Sequence, residues 1–171
     1  MSSSQKNQNL SLLESSLIPM TYTVGDGEFY QFAILTDGYS GVPVSTLNKF
    51  IATSGSGGKL SNQGQAFVAA AKKYGVNEVY LLSHAILESG WGKSDLAMGY
   101  YYDGKTKVNG KYYPAGTYYN FFGIGAYDSG PLSGGRAMAI QQGWDSPYDA
   151  IVGAAKWIHD QYLANGYGPQ N

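Results

Sequence analysis

The sequence predicts an α+β domain that is mostly helical, with a small β-hairpin lobe set against a helical lobe and a groove between them. Three observations lead there. Apolar residues recur at helical spacing over 63–74, 78–89 and 147–163. A Tyr/Thr-rich stretch over 99–120 has Asn109-Gly110 at its centre, the strongest short-range hairpin signal. The order is helices, then one hairpin, then a helix, with no internal repeat.

Residues 1–20 are polar and then mixed, and are expected to form a flexible N-terminal segment; 21–171 are expected to form one folded domain. Within it, 21–40 combine β-prone pieces with turn residues and read as an extended segment wrapping the domain. Ser45 is placed as the N-cap of a short helix, TLNKFIAT, and a Gly/Ser loop follows. The helix at 63–74 carries Ala66, Phe67, Ala70, Ala71 and Tyr74 on one stripe and stops at Gly75. Asn77 is a good N-cap for the next helix, with Glu78 at its positive end and Gly90 as the terminating residue. Ser94 is expected to cap a short turn, DLAMG. Residues 121–135 read as a glycine-rich loop, and Pro147 opens the last helix.

The composition narrows the function. The 171 residues carry a net charge of −1 with both signs dispersed, so no basic face exists for nucleic acid. No apolar run approaches the roughly 18 residues of a membrane span, and the N-terminus lacks the apolar core of a signal peptide. Cysteine is absent and the two histidines, His84 and His159, have no metal-ligand spacing, so neither thiol chemistry, a zinc site nor any cofactor is expected. Sixteen tyrosines and 24 glycines remain to be explained. Flat aromatic faces with a polar edge suit the C–H faces and hydroxyls of sugars.

Glu88 is the candidate for chemistry. It ends an apolar helix three residues before Trp91. Partial desolvation and the negative end of the helix dipole both disfavour its ionised form, as a glycosidase general acid requires. The same position also suits a solvated helix-end carboxylate, or one paired with His84 at i−4. Of the tryptophans, Trp91 is expected in the groove, and Trp144 and Trp157 mainly in the core.

The run His84-Ala85-Ile86-Leu87-Glu88-Ser89-Gly90-Trp91-Gly92-Lys93-Ser94 resembles the signature helix of glycoside hydrolase family 73, the bacterial wall-lytic endo-β-N-acetylglucosaminidases. Tyr119-Asn120-Phe121-Phe122-Gly123-Ile124-Gly125-Ala126-Tyr127-Asp128 resembles a second block of that family. Gly64–Ala71 and Gly143-Trp144-Asp145 through Ile158 are similar to weaker ones. The resemblance spans roughly 40–165 and implies a lysozyme-like fold that cleaves the β-1,4 bond between N-acetylglucosamine and N-acetylmuramic acid in peptidoglycan, with Glu88 as general acid. Some family members supply a second glutamate from the β lobe, whereas this chain has none after Glu88. Asp128 and Tyr127 are the candidates for the second role, with the substrate's 2-acetamido group as a further participant. Asp103 is the alternative acid for that role, although in Asp-Gly it reads first as a turn residue.

Trp91, Tyr119, Asn120, Phe122, Gly123 and Ile124 are the expected substrate-binding residues, although Asn120 also suits loop hydrogen bonding. The expected partner is the peptidoglycan glycan strand, met by a monomer at the cell wall. A lytic transglycosylase and a non-catalytic glycan-binding module are the rival readings.

Overall fold

The computed structural model describes residues 38–54, 58–127 and 130–164; the expected flexible segment 1–20 and most of the wrapping segment 21–40 lie outside them. The described residues form α1 (Val44–Ser54), α2 (Gly64–Tyr74), α3 (Glu78–Ser89), the single turn α4 (Asp95–Met98), strands β1 (Tyr100–Tyr102) and β2 (Gly116–Tyr118), α5 (Pro131–Gln142) and α6 (Pro147–Ile158). A π-helical turn, His159–Leu163, completes the last helix. The predicted span of that helix is thus occupied to its end, with its final five residues wound more loosely.

The core forms where small residues let helices approach. α2 supplies Ala66, Phe67, Ala70 and Ala71, and α6 supplies Ala150, Ile151, Ala154, Ala155 and Ile158, all buried. Trp144 is buried against α6 at Gly153, where a Cβ would lie 2.1 Å from its Nε1, so this mid-helix glycine makes room for an indole. Trp157 is only half-buried, edge-on to Tyr162. The N-terminus of α2 is closed from outside its own sequence: Asn48 Oδ1 on α1 accepts the Gly64 N–H at 2.8 Å.

Helix termini follow the sequence in most places. Asn77 Oδ1 accepts from the N–H groups of Val79 and Tyr80, and Gly75 and Gly90 are left-handed at φ 66° and 55°. Ser94 occupies the N-cap position of α4, but its hydroxyl makes no capping bond. Ser45 is a correction: the helix begins at Val44, two residues before the expected Thr46, because the Pro43 carbonyl already accepts from Thr46 and Leu47.

The larger correction is α5. Its first five residues fall in the stretch read as a glycine-rich loop, and no helix was expected there. Gly134 and Gly135 mask the apolar stripe, and tertiary packing requires them. A Cβ at Gly134 would sit 2.1 Å from the Gly125 carbonyl oxygen, and one at Gly135 would sit 2.6 Å from Leu96 Cδ1. The helix trades propensity for close approach.

The hairpin is present. Tyr100, Tyr101 and Tyr102 pair antiparallel with Tyr118, Thr117 and Gly116. Near the tip, Val108 and Lys111 exchange both backbone hydrogen bonds around Asn109 (φ 46°) and Gly110 (φ 81°), as a two-residue turn with both φ positive demands. Between strands and tip, residues 103–107 face 112–115, so the first arm carries one extra residue. Tyrosine hydroxyls tie down these arms: Tyr102 donates to the Thr106 carbonyl and Tyr118 to that of Pro114. Asp103 Oδ1 accepts the Lys105 N–H at 2.9 Å, as expected of a turn aspartate.

Candidate active site

α3 carries the site on one stripe. Tyr80, His84 and Glu88 follow one another at four-residue spacing and therefore share a face. Tyr80 Oη lies 3.3 Å from His84 Nδ1, and His84 Nε2 lies 3.7 Å from Glu88 Oε1. The His84 ring meets Phe122 edge-on, with centroids 5.4 Å apart. Glu88 is therefore approached by a histidine that is itself held from two sides.

The chain turns sharply just after Glu88. Gly90, Trp91 and Gly92 are all left-handed, with φ of 55°, 64° and 77°. A tryptophan in this region costs roughly 1–2 kcal/mol, so the surroundings must impose it. They do so through Ser89, which is buried. Its hydroxyl donates to the Ala85 carbonyl and accepts the Gly92 N–H at 2.8 Å. The Lys59 N–H adds a bond of 3.0 Å to the Gly92 carbonyl. The approach is so close that a Cβ at Gly58 would sit 1.9 Å from the Trp91 carbonyl oxygen. The Trp91 side chain, half-buried, packs on Phe50 with ring centroids 5.7 Å apart.

The second wall is the loop 119–127. Its organiser is Asn120, 2 % exposed. Its amide group donates to the Ile124 and Gly135 carbonyls at 2.8 and 3.2 Å and accepts the Phe122 N–H at 3.2 Å. Phe122 and Ile124 are buried as well. The structure thus gives these three expected sugar-contacting residues another use: their side chains are engaged in the loop and the core. Tyr119 is half-buried and stacks parallel to Phe121. Gly123, with φ 62°, comes up against Glu88, since a Cβ there would lie 3.5 Å from Glu88 Oε2. The loop backbone, more than its side chains, faces the acid.

The Glu88 side chain is only partly withdrawn from water, at 43 % exposed. Tyr127 is highly exposed at the far end of the loop, where it lines a hollow with Gly125 and Met138. Asp128 lies outside the described residues.

Glu78, at the other end of α3, has a role the sequence reading missed. It is fully buried and accepts three hydrogen bonds: the Ser40 hydroxyl at 2.7 Å, the Ser40 N–H at 2.9 Å and the Val42 N–H at 3.0 Å. Burial pushes its carboxyl up, and these hydrogen bonds together with its own N–H outweigh that, holding it below the ordinary glutamate value. No local pattern announces this, because the donors stand 36 and 38 residues away.

A sequence model of the Glucosaminidase family, described as mannosyl-glycoprotein endo-beta-N-acetylglucosaminidase, matches residues 64–170. The chain belongs to the Glucosaminidase family. Relatives agree with this membership. A beta-N-acetylglucosaminidase of Bacillus subtilis is 39 % identical over 147 residues, covering 86 % of this chain and 15 % of the relative. A bifunctional autolysin of Staphylococcus aureus is 45 % identical over 139 residues, covering 80 % of this chain and 10 % of the relative. Among solved structures, S. aureus glucosaminidase B superposes with a TM-score of 0.67 at 35 % identity, covering 89 % of this chain and 55 % of that one. A catalytic mutant of S. aureus Autolysin E in complex with the disaccharide NAG-NAM superposes with a TM-score of 0.60 at 39 % identity, over 77 % of this chain and 53 % of that one. The chain therefore spans a small part of these curated relatives and about half of the solved chains. Its helical body with one small antiparallel sheet is the architecture of these Glucosaminidase neighbours, in keeping with the lysozyme-like fold that the sequence implied.

Proposed function

We propose that this chain hydrolyses the β-1,4 bond on the reducing side of N-acetylglucosamine in peptidoglycan, with Glu88 as the general acid. The supporting observation is the placing of its glutamates. Within the family-matched residues 64–170 there are two, Glu78 and Glu88. Glu78 is buried with its oxygens occupied. Glu88 is accessible to a ligand, next to a left-handed glycine and a tethered histidine. The Autolysin E catalytic mutant holding NAG-NAM has a glutamate replaced by alanine, which supports a glutamate, here Glu88, in the acid's role.

In this reading the protonated Glu88 carboxyl donates to the oxygen of the departing sugar as the anomeric bond breaks. Substrate binding supplies the enclosure that the free groove lacks, since a sugar ring over Glu88 displaces the water that reaches it. The oxocarbenium-like carbon is then met by water, assisted by the substrate's 2-acetamido group and by Tyr127 and Asp128. The substrate is the glycan strand of the bacterial wall, engaged by a monomer. No helix among the described residues is long and apolar enough to cross a membrane.

The test is the chemistry of the new ends. Purified peptidoglycan digested by the chain and treated with borohydride should yield N-acetylglucosaminitol ends. Fragments that resist reduction and end in anhydromuramic acid would assign a lytic transglycosylase instead. Wall binding with no released fragment would assign a binding module.

A further inference from the structure

We propose that the cleft between the hairpin and α5 binds the stem peptide carried by muramic acid, with Arg136 receiving a peptide carboxylate. The inference rests on the peptidoglycan reading above and extends it from the sugar to the peptide. Two adjoining hollows, of about 510 and 590 Å³, lie between the hairpin and α5 and share Val108, Ser133 and Ala137. The first contains Tyr101, Asp103 and Arg136. The second reaches Gly125 and Tyr127, in the loop whose Gly123 lies against Glu88. A depression therefore leads from the loop beside the reactive acid to Arg136.

Arg136 is the cation in the first of these hollows. Its guanidinium carbon lies 4.5 Å from the centroid of the Tyr100 ring. Its Nε, among the described residues, is a buried side-chain nitrogen without a hydrogen-bond partner. A buried unpaired donor is costly, and its presence in a fold calls for a reason. Packing over the Tyr100 ring restrains the guanidinium, and a restrained fork of N–H groups matches a carboxylate in two parallel hydrogen bonds. Asp103 lies in the same hollow, so cation and anion face one space. Lys107 lines the adjoining hollow and stands over Tyr112 at 5.5 Å. A peptide that carries both a carboxylate and an ammonium group meets this arrangement with opposite charges, whereas Asp103 repels a polyphosphate chain. Ser133, Gly134 and Ala137 keep the wall low and leave room for alanine-sized side chains. In the glycan strand the peptide hangs from the sugar next to the scissile bond, so it must leave the groove close to this depression.

The test compares glycan chains bearing stem peptides with the same chains stripped of peptide at the lactyl amide bond. Arg136→Gln should lower kcat/KM about tenfold more on the peptide-bearing chains than on the stripped ones, the size expected for losing a charge-assisted bond. Arg136→Lys, which keeps the charge and the stem but not the fork, should fall between. Equal losses on both substrates, or none on either, would overturn the proposal. Unchanged thermal midpoints would exclude misfolding as the cause of a difference. Calorimetric titration with free stem peptide reads the same site without catalysis. Binding by the wild type that Arg136→Gln abolishes supports it; absence of wild-type binding, or tighter binding of poly(glycerol phosphate), overturns it. If the wild type cleaves neither glycan, the hydrolase reading fails and the titration alone decides the peptide site.

Discussion

Glu78 and Glu88 stand at opposite ends of one helix, and the fold treats them oppositely. Glu78 is withdrawn from water and given three donors from the segment Ser40–Val42, which fixes its charge and its position. Glu88 is left open, with one histidine at 3.7 Å and a glycine opposite. A carboxylate whose lone pairs are filled by protein donors is poorly able to deliver a proton to a substrate. One that is placed but unfilled has its donor geometry free. The contrast teaches that burial and hydrogen bonding commit one carboxyl to the fold, whereas accessibility beside a strained turn leaves the other free to meet a ligand.

Glu88→Gln should break the comparison most severely. It keeps size and polarity but removes the transferable proton, so turnover of peptidoglycan should fall by about 10²–10⁴-fold, with the thermal midpoint unchanged. Glu78→Gln should do the reverse. It leaves at least one of the Ser40 and Val42 donors poorly matched in a buried site and should cost about 1–3 kcal/mol of stability by denaturant unfolding. If Glu78→Gln instead abolishes turnover in a fully stable protein, the two roles are exchanged.

The stability difference between wild type and Glu78→Gln should also depend on pH. The folded state holds the Glu78 carboxyl below its ordinary value, so its contribution is present above that value and is lost as pH falls through the depressed one. The gap between the two unfolding curves should narrow on acidification below the ordinary glutamate range and be flat above it. A gap constant down to strongly acidic pH would show that the carboxylate's charge contributes nothing.

The smallest expected effect is at the candidates for the second role. Tyr127→Phe should lower turnover by less than Glu88→Gln, about tenfold, because the substrate's acetamido group shares the second role. Asp128→Asn should behave alike. A greater loss from Asp103→Asn would move the second role to the hairpin.

The sequence by itself settled what depends on neighbours in the chain. Asn77, Gly75 and Gly90 bound their helices because capping is decided within a turn of backbone. Asn109-Gly110 set the hairpin tip because both positions need positive φ. Glu88 was legible as a helix-end acid within a recognisable run of residues. What only the tertiary structure decided depends on residues distant in sequence. α5 was hidden because Gly134 and Gly135 answer to Gly125 and Leu96 and not to helix propensity. Glu78 read as a favourable first-turn charge because Ser40 and Val42 are invisible from position 78. The openness of Glu88 was likewise undecided, since an apolar helix end is enclosed or exposed according to what packs across from it. There the fold sets a small loop backbone in place of a side chain.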